Sequence, residues 1–181
     1  MSDVFSQDKY SLFGSNSISP KDAVQGALGD CWFIAAASAV ATDPERIKKI
    51  FLTQNLNNAG VYALRLYLLG VPITVSVDEY LAFKYDPIAN KLTDDPYYAR
   101  PGLDGSLWMP ILEKAAAKLY GNYEMLIAGH SGPAVQMLTG APYFETKHED
   151  ISSEDLWNYL SEKLAANWVV TSESHNGPGT D

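Results

Sequence analysis

One run of residues limits what this chain can become. Trp32 to Ala41 are all apolar apart from Ser38, and most are small. A helix built from them is apolar on every side and is stable only when neighbours cover it all round, so it predicts the centre of the fold. Just before it stands Gln25-Gly26-Ala27-Leu28-Gly29-Asp30-Cys31. The two glycines permit a tight, left-handed approach to the helix. Asp30 is placed as a candidate N-cap, which puts Cys31 in the first turn. A thiol there faces backbone N–H groups and the positive end of the helix dipole, and both favour thiolate over thiol. A nucleophile at the start of a buried helix suits covalent acyl transfer.

Gln25 lies six residues before Cys31, across the glycine turn. Its amide is a candidate donor to an oxyanion forming beside the sulfur, together with the N–H of Cys31. Taken singly, each residue has a plainer reading. A lone cysteine is usually a small buried hydrophobe, and a glutamine before a turn is usually solvated. The joint pattern Q-G-x-x-G-D-C-W, opening a helix, favours the nucleophile.

The 181 residues suffice for one domain with a substantial core. A net charge of −9 argues against nucleic acid or an anionic membrane as the main partner. The single cysteine forbids an internal disulfide and points to a reducing compartment. Met1 to Gly14 is polar and lacks a signal core, and no apolar run approaches a membrane span. The expectation is a cytoplasmic protein.

Residues 1–20 read as an irregular arm whose aromatics, Phe5, Tyr10 and Phe13, pack on the domain. Asp43-Pro44-Glu45 predicts a capped helix to about Leu52, with Ile47, Ile50 and Phe51 inward. Val61–Leu69 and Val71–Val77 alternate as two strands joined at Gly70. Tyr85 to Gly105, rich in Pro, Asp and Gly, reads as a long surface loop. Trp108 to Tyr120 is a strongly amphipathic helix, and Pro133 to Thr139 a short one stopped by Gly140. Ser152 opens another helix with Leu156, Trp157, Leu160 and Leu164 on one stripe, and Trp168 to Thr171 reads as a strand. The class is α+β, helix-rich with a small antiparallel sheet.

Gln25 to Trp32 resembles the active-site segment of the calpain cysteine proteases. A second block is similar to the calpain run around F-W-x-x-L-L-E-K-A-Y-A-K-x-x-G-x-Y-E: Leu107-Trp108, Leu112-Glu113-Lys114-Ala115, Ala117-Lys118 and Gly121-Asn122-Tyr123-Glu124. The resemblance covers about positions 20 to 170. It implies the first subdomain of a papain-like protease over 21–171, with a polar tail at 172–181 leading toward a second subdomain. Cys31 is then the nucleophile and Gln25 the oxyanion-hole donor, acting on a protein or peptide substrate. Gly29 and Trp108 are candidate walls of the substrate cleft, although the spacing of Trp108 also suits a core aromatic. Glu113 and Lys114 read as a solvated pair or a fold-holding salt bridge.

A thiolate also needs a histidine to share its proton and an Asn or Asp to orient that histidine. None of the three histidines has diagnostic spacing. His130 lies in a turn, His148 in a charged connection and His175-Asn176 near the end of the chain. The resemblance assigns the catalytic His and Asn to G-H-A-Y-like and N-P-W-G-like segments of the second subdomain, and neither occurs here. This chain alone is therefore expected not to cleave peptides at a useful rate. Calpain resemblance also implies calcium, held by a loop before the active-site segment and by acidic side chains. Asp22 matches one such acid, but Ser106 stands where a second is expected, with Asp104 nearby. Two other readings are an inactive calpain-like binding or regulatory module and, less well matched to the helix-rich continuation, a transglutaminase-like acyl transferase.

Overall fold

The computed structural model describes residues 10–55 and 57–174. Helix α1, Cys31–Val40, lies at the centre, with Phe33, Ala36, Ala37 and Val40 excluded from solvent. Helix α2, Pro44–Ile50, starts where expected, with the Asp43 carboxylate accepting from Glu45 N–H at 3.1 Å and a proline in the first turn. Ile47, Ile50 and Phe51 are buried. Phe13 meets Phe51 edge to face at 5.3 Å, and Leu12 and Ile18 are buried, so residues 10–19 of the arm help close the core.

Strands β1, Val61–Leu68, and β2, Val71–Asp78, form an antiparallel hairpin. Leu69 and Gly70 turn it with φ of 51° and 81°, the two-residue geometry that matches strand twist. Its inner face, Tyr62, Leu64 and Leu66 opposite Val77, Val75 and Ile73, packs toward the core. Leu68 and Val71 were expected on that face, but the hairpin tip projects past the core and leaves both exposed.

Residues 85–105 are not one loop. Strands β3, Phe83–Asp86, and β4, Lys91–Pro96, form a second hairpin. The residues that read as loop formers make its turn: Asp86 Oδ1 accepts from Ile88 and Ala89 N–H at 2.8 and 3.0 Å, and Asn90 takes φ 51°.

Helix α3, Trp108–Tyr120, supplies the largest share of the core, with Trp108, Ile111, Leu112 and Ala115 buried. It packs beneath β1–β2 and beside the short 3-10 helix Tyr123–Leu126. Helix α4, Ser131–Thr139, lies against α1 and stops at Gly140, whose φ of 74° lets its N–H reach Gln136 O at 2.8 Å. Helix α5, Ser153–Ala165, is capped by Ser152 but buries no residue. Its stripe does not face a core: Trp157 is 72% and Leu164 60% exposed. Trp168 to Thr171, expected as a strand, joins neither hairpin. The architecture is α+β with two small antiparallel hairpins. Among the described residues no helix is long and apolar enough to cross a membrane.

Candidate active site

Cys31 is the first residue of α1 and is exposed, while the residues behind it, Trp32 to Ile34, are buried. That division follows from position. Cys31 lies on the face of the helix that reaches the surface, with Ala35 exposed one turn further along, while the opposite face is buried. Trp32 fixes this end, donating its indole N–H to Leu126 O at 2.7 Å. Asp30 is at the N-cap position, yet its side chain caps nothing. Its backbone carbonyl accepts from Phe33 and Ile34 N–H at 2.8 and 3.1 Å, and its side chain turns inward and is fully buried. No side chain therefore covers the N–H groups at the start of α1.

The turn before α1 is held by residues 97–100. Ala27 N–H donates to Tyr97 O at 2.8 Å, and Arg100 N–H to Val24 O at 2.9 Å. Between these bonds Gly26 lies so close to the neighbouring chain that a Cβ would sit 1.9 Å from Tyr98 O. Close approach, rather than left-handed backbone, is what requires this glycine. Gly29 is exposed, with ordinary room for a Cβ 3.6 Å from Ile127.

Gln25 is half-buried, and its amide points at acceptors of its own chain. It donates to Leu28 O at 2.7 Å and reaches Asp30 Oδ1 at 3.5 Å. The second contact is long and weak, so an oxyanion would have only that bond to displace. Trp108 is 0% exposed, with its indole N–H 3.5 Å from Asp22 Oδ2. It is a core aromatic at the head of α3, out of reach of a substrate in this conformation.

Glu113 departs most from expectation. It is neither solvated nor paired with Lys114. It is 1% exposed, and its carboxyl oxygens lie 3.2 and 3.0 Å from Ala99 N–H. Its carboxyl also lies within hydrogen-bond reach of the Asp30 side chain, whose Oδ2 has no donor. Burial pushes Glu113 up to about 9; the Ala99 N–H opposes this and Asp30 reinforces it. Burial raises Asp30 as well, against its hydrogen bond from Glu113. A signal existed in the sequence. Glu113 follows Met109 by four residues and precedes Ala116 by three, on the apolar face of α3, where a carboxylate needs a partner. Lys114 instead pairs with Asp78 and donates to Tyr80 O at 2.6 Å.

No described histidine hydrogen-bonds Cys31. His130 Nδ1 lies 3.1 Å from a Glu173 oxygen, and His148 is exposed beside Tyr143 and Phe144. His175 and Asn176 lie outside the described residues. Three concavities of about 470, 230 and 490 Å³ are lined by other residues than Cys31 or Gln25.

The two positions read for calcium do come together. A Cβ on Gly102 would lie 2.2 Å from Ser106 Oγ and 2.9 Å from Asp22 Oδ1. Asp22 Oδ2 is taken by Ser19 N–H at 2.8 Å, and Ser106 Oγ is buried without a partner. Asp104 turns away, accepting from Ser106 N–H at 3.1 Å. Among the described residues no cluster of three or more His, Cys, Asp or Glu is placed to hold a metal ion.

The model of the calpain family cysteine proteases matches residues 2–179. A calpain-type cysteine protease, DEK1, of Zea mays is 36% identical over 152 residues, covering 81% of this chain and 7% of the relative. Calpain-5 of Caenorhabditis elegans is 33% identical over 72% of the chain and 20% of the relative. Human calpain-12 is 32% identical over 71% and 17%. The chain thus spans a fifth or less of the length of these relatives. With that match over nearly its whole length, and a cysteine opening the central helix, the chain belongs to the calpain family of cysteine proteases.

Proposed function

We propose that this chain carries the nucleophile half of a calpain-type endopeptidase site. Cys31 attacks the scissile carbonyl of a peptide. Its own N–H and the Gln25 amide, turned from Asp30, hold the oxyanion. The C–S bond forms as the C–N bond breaks, the leaving amine takes a proton, and water then hydrolyses the thioester. The histidine and asparagine that move and orient that proton come from a second subdomain, in the same chain or another. Gly29, exposed beside the thiol, borders the path of the substrate.

The observation that carries this reading is an exposed thiol at the uncapped start of the central, largely buried helix. Because Cys31 is the only cysteine, covalent labelling reports on it alone. A peptidyl epoxide is expected to label it faster than free iodoacetamide does, and equal rates contradict a protease site. Turnover of peptides by this chain alone is expected to be undetectable. Turnover abolished by Cys31→Ala would show instead that the chain supplies its own base. The second reading, a non-catalytic calpain-like module, is favoured by the lack of a described histidine on Cys31.

Calcium does not fit the residues at Asp22 and Ser106. The side-chain donors there are one carboxylate, already engaged, and one hydroxyl, whereas a hard cation usually takes several carboxylates beside backbone carbonyls. No step of the reaction is routed through it. Calcium titration is expected to leave the melting temperature of the chain unchanged and to raise that of Ser106→Glu. A rise in the unsubstituted chain contradicts this.

A further inference from the structure

Two carboxyl groups meet directly behind Cys31, where water does not reach. Asp30 is 0% exposed and Glu113 is 1%. Between them they close a ring of contacts around the turn that carries Gln25. Glu113 accepts from Ala99 N–H at 3.0 Å. The segment around Ala99 holds Val24 and Ala27 through Arg100 and Tyr97. Gln25 reaches Asp30 at 3.5 Å, and Asp30 returns to Glu113. With both carboxyls ionised, Asp30 Oδ2 is buried without a donor. Two like charges in contact in a dry site cannot both persist, and one proton supplies the missing donor.

We propose that Asp30 and Glu113 share one proton, and that this acid pair is the positioning device that sets Gln25 and Cys31 for attack. The role rests on the reading of Cys31 as the nucleophile. The proton sits on Glu113, the group whose value burial raises to about 9. Asp30 keeps the charge, at the end of α1 where the helix dipole favours an anion. The other groups facing the pair are the Gln25 amide and the rings of Tyr98 and Tyr123, stacked at 3.6 Å. Glu124 and Asp78 act on those tyrosines from farther out. Among the described residues no lysine or arginine forms an ion pair with either carboxyl. Neither residue touches the substrate; both act through the turn.

A proton held on folding makes stability depend on pH. Between the ordinary 4.5 and about 9, the folded chain binds a proton at Glu113 that the unfolded chain has lost. The folding equilibrium constant therefore falls as pH rises through that window, by up to about tenfold per pH unit.

The experiment uses the whole chain as it stands and the variants Glu113→Gln and Glu113→Ala. Stability is measured by urea unfolding from pH 5 to 9, and Cys31 labelling by a peptidyl epoxide. In Glu113→Gln the amide N–H₂ replaces the shared proton and the amide oxygen still accepts from Ala99. Its stability is expected to lose most of the wild-type slope. Glu113→Ala, where folded by circular dichroism, is expected to label about tenfold slower or worse. Glu113→Gln is expected to recover most of that loss. A wild-type slope retained in Glu113→Gln overturns the shared proton. Wild-type labelling in folded Glu113→Ala overturns the positioning role. If Glu113→Ala does not fold, the slope and the labelling of Glu113→Gln decide. If the wild-type chain does not prefer the epoxide to iodoacetamide, the nucleophile reading fails and the positioning role with it, while the slope still decides the proton.

Discussion

Helices α3 and α5 are each 13 residues long and each carries an apolar stripe. Their fates are opposite. Helix α3 buries residues from Trp108 through Ala117 against α1, both strands of the first hairpin and the Tyr123–Leu126 turn. Helix α5 buries none, and touches mainly the extended segments on either side of it. Lys163 lies over the rings of Tyr159 and Trp168 at 5.1 and 4.8 Å, a surface arrangement rather than a core. Periodicity tells which face of a helix is apolar. It does not tell what covers that face, and the stabilisation comes from the covering.

The comparison breaks most directly by truncating one tryptophan on each helix. Trp108→Ala is expected to cost about 3–5 kcal/mol in urea unfolding, because it opens a cavity in a closed core. Trp157→Ala is expected to change stability by less than about 0.5 kcal/mol. Comparable losses at both positions would put α5 in the core. Gly26→Ala comes next. It forces a methyl onto Tyr98 O and should cost about 1–3 kcal/mol, with slower Cys31 labelling than any α5 variant shows. Labelling unchanged by Gly26→Ala would mean that the 97–100 clamp does not set the site.

The smallest effect concerns the tie between the segment after α5 and the start of α4. Glu173 accepts from Ser131 N–H at the start of α4 and meets His130 Nδ1 at 3.1 Å, and hydrogen bonding to Ser131, with His130 adding to it, lowers it to about 2. The contribution is present above the ordinary 4.5 and fades as pH falls toward 2. Glu173→Gln should cost at most about 1 kcal/mol at pH 7 and nothing near pH 2, since the group is partly exposed. An equal cost at both pH values would assign its role to packing.

What was legible in the sequence was what one segment decides for itself. The all-apolar run gave α1, Asp43-Pro44 gave the start of α2, alternation gave β1 and β2, and Gly140 gave the end of α4. What was hidden depended on a partner elsewhere. The β3–β4 hairpin is built from residues that locally favour turns. Trp168 to Thr171 has strand composition but pairs with neither hairpin. The side chain of Asp30 leaves its own helix for Glu113, 83 positions on. The site divides in the same way. Cys31 and Gln25 are candidates that spacing alone singles out, whereas the meeting of Asp30 with Glu113 depends on how the fold brings two distant segments together.

The central claim is that folding turns one exposed thiol into a nucleophile shaped for peptides. The most direct measurement compares Cys31 labelling by a peptidyl epoxide in the native chain and in the same chain unfolded in urea. The account predicts native labelling faster by about tenfold or more, because only the fold assembles the helix start and the Gln25 turn around the sulfur. Equal or slower labelling in the native chain would contradict it.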